Sequence, residues 1–416
     1  MTIIRRTATA ALAIAVAAGL PCVSTAATPS ARLSASTAVA AADIGLHRWG
    51  SSADWRSGRG DGLRIRSGRV RIAAPAERRT YRGKRYDVST WTSPRVRNGF
   101  RASELIPSWN ASAPAGTWLE VAVRARRGDR AGSWDVVARW ADADRGLRRV
   151  SLGEQGDDLT RLNVDTVVSN AERGLSSWQL RVSLLRRAGS DRSPVLHSAS
   201  IMTSHIPDRH GAGTSRTGMN RRVDLRVPAY SQMVHKGTYP QWDNGGEAWC
   251  SPTSTTMLLG YWNALPSTRA LRWLPAGAPQ KPVIHAARHV YDYRYDGAGN
   301  WPFNTAYAGT RGLDAYVTRL RSLRSAERYL KAGIPLVASI AFAAGALDGA
   351  PISSSSGHLL VIRGFTAAGD VIVNDPAAAR RRGVRRVYDR GQFENAWVGA
   401  TGGVVYVMRR AGTALP

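Results

Sequence analysis

Cysteine occurs only twice in this chain of 416 residues, at Cys22 and Cys250. Cys250 lies in Trp249-Cys250-Ser251-Pro252-Thr253, ahead of Met257, Leu258, Tyr261 and Trp262, which recur at helical spacing. Proline suits the first turn of a helix, where its missing N–H has no partner to lose. A helix over residues 252–262 would therefore set Cys250 at its amino terminus. Free N–H groups and the helix dipole there favour a thiolate.

A thiolate nucleophile needs a proton-transfer partner. Of eight histidines, His47, His197, His205, His210 and His235 fall in loop-like or linker surroundings. His285 and His289 are four apart and could share a helix face. They lack the adjoining glutamate of a zinc-protease motif and any evident third ligand, so they read as surface histidines, with no metal or other cofactor expected. His358 differs. It follows the loose run Ser353–Gly357 and opens the apolar run Leu359-Leu360-Val361-Ile362. A turn over 366–369 and a second apolar run, Val371-Ile372-Val373-Asn374, complete a hairpin signature, and Asp375 ends it. In an antiparallel hairpin the start of one strand lies beside the end of the next, so Asp375 can orient His358. Upstream, Gln232 offers a neutral amide able to donate a hydrogen bond to an oxyanion. Such a constellation suits acyl transfer.

The elements that must hold these residues fall into two halves. Residues 1–26 form the three-part pattern of a secretory signal: Arg5-Arg6, an apolar run from Ala10 to Leu20 too short to span a bilayer, and Ser24-Thr25-Ala26 for cleavage. The arginine pair leaves the twin-arginine route open. Cleavage would remove Cys22 and leave Cys250 unable to form an internal disulfide. A secreted protein without a membrane span is expected, one that its charge could hold at the cell wall. Residues 27–42 read as a flexible leader. Residues 43–206 alternate with period two in Leu119–Val123 and Trp178–Leu184, which predicts a β-sandwich or jelly roll of unknown ligand. Its eight tryptophans fit a core better than a sugar-stacking face. Residues 207–222 read as a linker, and 223–412 as a mixed α+β domain. There, helices are expected over 252–262, 313–323 and 326–331, and strands over 336–342, 359–365, 371–374 and 404–408. The formal charge of +28 is almost wholly arginine. It would attract an anionic cell-wall polymer, but it is spread along the chain and marks no specific nucleic-acid surface.

Four segments resemble the C39-like peptidases of the papain-type superfamily: Val227-Pro228-Ala229-Tyr230-Ser231-Gln232, Trp249-Cys250-Ser251-Pro252-Thr253-Ser254, Gly357–Phe365 and Val371–Pro376. The resemblance implies a papain-like α+β fold. It also implies Cys250, His358 and Asp375 as a triad, with Gln232 and the Cys250 N–H forming the oxyanion hole. Ser251 stands where glycine usually follows the cysteine, which would narrow the space near the thiol. Classical members are fused to transporters and clip leader peptides. No transporter segments occur here, so that substrate does not carry over. The first half resembles regions preceding such domains in secreted actinobacterial proteins. A monomeric peptidase acting on peptide or protein is the expectation, with residues 223–412 folding and reacting alone. An amidase or transglutaminase, with peptidoglycan cross-links as one substrate, remains open, as does a non-catalytic wall- or glycan-binding protein.

Overall fold

The computed structural model describes residues 43–416 apart from 154, 157, 171–173 and 207–212. The expected signal peptide with Cys22, the leader 27–42, His210 and residues 207–212 of the expected linker lie outside the described residues.

The first half is built of two antiparallel sheets. Thr117–Arg127 and Leu175–Arg187 form the spine of one, paired from Thr117 opposite Arg186 to Arg126 opposite Ser177. Their alternation explains the pairing. Leu119, Val121 and Val123 on one strand, and Leu180, Val182 and Leu184 on the other, are at most 1% exposed, so a register slip would turn this whole set to water. The second sheet centres on Glu104–Ser112 against Val195–His205, with Asp43–Trp49 along the latter. Tryptophan joins the sheets. The Trp49 ring lies 5.2 Å from Trp91 and 5.9 Å from Trp178 across the gap. Trp134 is the one tryptophan of this half left partly open. Arg124 and Arg181 stack on its ring at 4.8 and 4.3 Å. The rings thus fill the interior and form no exposed row.

The second half carries a seven-stranded antiparallel sheet. Its order is Leu313–Arg319, Val404–Arg410, Leu336–Phe342, Ser355–Phe365, Val371–Asn374 and Arg385–Tyr388, with Val223–Asp224 beside Phe365 and Gly364. Both faces are covered. Leu359 and Val361 join the core of helix Cys250–Tyr261, whereas Leu360 and Ile362 join that of helix Leu323–Lys331. This is why the strand reads as one continuous apolar run.

The helix expected over 313–323 is not there: Leu313–Arg319 is a strand paired along its length with Val404–Arg410. Its residues are also buried on both faces, and periodicity alone does not separate such a run from a buried helix. An unanticipated helix, Trp301–Thr310, starts where the Asn300 side chain accepts the Phe303 N–H at 3.0 Å.

The described residues form one compact unit. The first half meets the second through Trp109, 6.1 Å from Phe303 between ring centres. The Asn110 amide brackets the Ala315 backbone, donating at 2.7 Å and accepting at 2.9 Å. Residues 213–222 are tied down as well. The buried Glu327 carboxylate accepts from the Thr217 hydroxyl at 2.9 Å and the Gly218 N–H at 2.7 Å, and Glu394 accepts from the Ser215 N–H at 2.7 Å. Among the described residues no helix is long and apolar enough to cross a membrane.

Candidate active site

Cys250 is the first residue of helix Cys250–Tyr261 and is free and partly exposed. The helix begins with no side-chain cap, so backbone N–H groups of its first turn face the thiol end. The Ser254 hydroxyl donates to the Leu359 carbonyl at 3.0 Å, which pins this helix to the strand carrying His358.

His358 and Asp375 are both buried, and His358 Nε2 lies 2.8 Å from Asp375 Oδ1. The hairpin that joins them pairs Val361 with Asn374 and Phe365 with Val371, with a bulge after Ile362. Two further donors reach the carboxylate: the Tyr388 hydroxyl at 2.8 Å and the Ala377 N–H at 3.0 Å. Asp375 is therefore fixed from three directions. With Nε2 taken, the other ring nitrogen is left for Cys250, whose thiol is near enough to help raise the His358 pKa.

The electrostatics follow from this chain of contacts. Burial works to lower the His358 pKa, but the Asp375 charge and hydrogen bond, together with those of Cys250, outweigh it and raise it to about 10. Burial works to raise Asp375, yet His358, Tyr388 and the Ala377 N–H hold it below the usual carboxylate range. An imidazolium beside a thiol stabilises the thiolate, the form that attacks carbonyls.

Gln232 sits in a turn preceding the cysteine. Its Nε2 donates to the Glu247 carbonyl at 2.6 Å, and its backbone N–H donates to Pro376 O at 2.9 Å. One amide hydrogen is used, and the second makes no further bond among the described residues. Gly246 permits this arrangement. A Cβ there would lie 2.3 Å from the Gln232 carbonyl oxygen, so only glycine lets the two segments approach.

Cys250, His358 and Gln232 line one cleft of about 870 Å³, with Asp375 behind the histidine. Ser251 does not line it. Its hydroxyl pairs with the Tyr406 hydroxyl at 2.9 Å inside the core, so the serine leaves the space near the thiol unchanged. Sequence patterns gave no hint of Tyr388, Gly246 or the far wall of the cleft. That wall comes from Asn163–Thr166 of the first half. There Val164 adopts φ 55°, rare for a β-branched residue, and Asp165 accepts the Trp301 N–H at 2.7 Å.

The other histidines stand apart. His285 and His289 are not surface groups: His285 is buried, its ring stacks on His289 at 3.9 Å, and its Nδ1 meets the Tyr307 hydroxyl at 2.9 Å. Burial first, then His289 and the neighbouring arginines, push His285 down to about 2; burial and Arg149 push His289 to about 3, so both are neutral. Among the described residues no group of three His, Cys, Asp or Glu is placed to hold a metal ion.

Among curated proteins none matches the chain. A likeness to the crystal structure of Podospora anserina GH26-CBM35 beta-(1,4)-mannanase has 12% identity over 55% of this chain and 38% of that one. Its TM-score of 0.19 is too low to carry an argument. The chain thus spans about two fifths of that structure. Residues 45–204 match the family described as Peptidase C39 N-terminal domain, and residues 224–405 match the Peptidase_C39 like family. The two adjoining matches take in both halves and every cleft residue named above, and the chain belongs to the C39-like peptidases of actinobacterial type.

Proposed function

We propose that the protein is an exported cysteine peptidase with a papain-like α+β catalytic domain and a Cys250–His358–Asp375 triad. The observation that carries this is the buried His358, hydrogen-bonded to the Asp375 carboxylate and lining one cleft with Cys250. The Cys250 thiolate attacks a peptide carbonyl carbon. The developing oxyanion is held by the Cys250 backbone N–H and the Gln232 amide. His358 gives its proton to the leaving amine as the C–N bond breaks, leaving a thioester. The imidazole then takes a proton from water, whose oxygen adds to the thioester and expels the Cys250 thiolate, restoring the thiolate and imidazolium. Export rests on the amino-terminal pattern. Mass spectrometry of the secreted protein is expected to find a mature chain beginning after Ala26.

Four substitutions test the roles. His358→Ala is expected to cost nearly as much turnover as losing Cys250. Asp375→Asn should cost less, because Tyr388 and Ala377 still hold the side chain in place. Gln232→Ala should lower kcat by roughly a hundredfold with little change in KM, since it acts only as charge develops. Tyr388→Phe removes one hydrogen bond to a charged group, and about a tenfold loss is expected. Kinetics on the purified variants decide the order. A Gln232 variant that raises KM but keeps kcat would make that residue a substrate contact.

The pH profile gives an independent test. His358 is raised from 6.5 to about 10. Its protonated form, and the stability its contacts supply, are fully present below 6.5 and are lost as pH rises through about 10. Hydrolysis, which needs the imidazolium to protonate the amine, is expected to persist through neutrality and fall as pH approaches 10. Alkylation of Cys250 by iodoacetamide needs only the thiolate and should not fall there. Loss of hydrolysis near 6.5, the ordinary histidine value, would show that His358 does not carry that proton.

A further inference from the structure

Fifty-eight lysines and arginines outweigh thirty acids to give this chain its charge of +28, yet among the described residues none of them lines the cleft at Cys250. Apart from His358, the charged side chains on its wall are Asp165, Asp243 and Glu247. With cations outnumbering acids 58 to 30, an all-acidic wall runs against composition.

The three carboxylates have little to neutralise them. Asp243 accepts the Ala298 N–H at 2.8 Å and has no ion pair among the described residues. Glu247 accepts the Gly237 N–H at 3.0 Å and faces Lys236 only at 4.0 Å, with both side chains well exposed. Asp165 is buried, which pushes its carboxyl up to about 7, and among the described residues it bonds to the Trp301 N–H and the Thr166 hydroxyl and to no cation, so it adds less charge than the other two. Tyr295 lines the same wall, so the carboxylates, this phenol and the thiol share one cleft. Carboxylates on a cleft wall with so little counter-charge favour a ligand that brings one.

Their position says where that charge belongs. Asp243 and Glu247 lie on the segment leading into Cys250, and the Glu247 carbonyl holds Gln232. With the leaving amine beside His358 and the carbonyl oxygen at Gln232, the acyl residue is left the rest of the cleft, on whose wall Asp243 and Glu247 lie. We infer that the cleft selects peptides with arginine or lysine as the residue whose carbonyl is attacked, its cation taken by Asp243 and Glu247, a selection that rests on Cys250 being the nucleophile. The positive charge of the whole chain does nothing to speed such a peptide's arrival. Discrimination comes from contacts made within the cleft.

Thiol-directed peptidyl acyloxymethyl ketones test this on the full chain, with arginine, its neutral isostere citrulline, or glutamate next to the reactive ketone. Cys250 labelling is expected to be about tenfold faster with arginine than with citrulline, and slower still with glutamate. In Asp243→Asn/Glu247→Gln that ratio should fall towards one. Asparagine is well tolerated at the φ of 59° found there, and both amides keep an oxygen for the backbone N–H each carboxylate accepts. Equal labelling by arginine and citrulline, or an unchanged ratio in the double variant, overturns the selection while leaving the nucleophile intact. Labelling no faster than that of free cysteine by every probe overturns the nucleophile and the selection with it.

Discussion

Cys250→Ala is expected to abolish peptide hydrolysis, on the order of 10⁵-fold or more in kcat, while leaving the fold in place. The size of the effect follows from covalent catalysis: without the sulfur no thioester forms, and the rest of the cleft can only bind substrate. The survival of the fold follows from position. Cys250 is partly exposed at a helix start, whereas Met257, Leu258 and Leu259 of the same helix make its core contacts. His358 keeps Asp375, and Asp375 keeps Tyr388 and Ala377. Cys250→Ser should also be severely impaired, because a hydroxyl stays protonated where a thiol ionises. Kinetics against a peptide library, with circular dichroism and Tm as fold controls, give the answer. A folded Cys250→Ala protein that still hydrolyses peptides at the original rate would sink the mechanism. A variant that unfolds would instead make the cysteine a structural residue.

What could be read from sequence was what local rules determine. The helix after Cys250 was marked by a proline in its first turn and apolar spacing, and the His358 hairpin by two apolar runs flanking a turn. Both signals need only neighbours in the chain. Leu313–Arg319 escaped because a strand buried on both faces loses its period-two signature. Tyr388 escaped because its role exists only across the pairing of Val371 with Tyr388, which no nearby residue announces. Ser251 was expected to crowd the thiol. A hydroxyl in the first turn points wherever a partner waits, and Tyr406, more than 150 residues on, supplies it. The stacked His285 and His289 looked exposed because a polar pair at helical spacing usually is. They are covered by residues far away in the chain, among them Tyr307. The cleft wall at Asn163–Thr166 was beyond sequence reading for the same reason, since nothing local ties a turn of the first half to the cysteine of the second.

That shared wall leads to the other large effect. A chain cut to residues 223–416 is expected neither to fold cooperatively nor to label at Cys250; its complete motifs alone suggest that 223–412 would fold and react, but the first half supplies part of its core and cleft wall. Phe303 is fully buried beside Trp109, and Ala315 and Val317 lie under Asn110 and Ser108. Removing the first half uncovers these apolar groups at a cost of about 1.5–3 kcal/mol for each large side chain. It also strips Asn110 from both backbone groups of Ala315, Glu104 from the buried Arg319, and Asp165 from the start of helix Trp301–Thr310. A guanidinium left buried without its carboxylate is costly in itself. Whole domains are stable by only about 5–15 kcal/mol, so a handful of such losses removes the margin. Adding residues 43–206 as a separate chain should restore Cys250 labelling if the shared core is what was missing. The readouts are the cooperativity of thermal unfolding and the iodoacetamide labelling rate, for the fragment alone and with its complement. A fragment of 223–416 that melts sharply and labels as fast as the full chain would mean that the first half only leans on a self-sufficient domain. Asn163–Thr166 would then be an accessory to the cleft, with no part in building it.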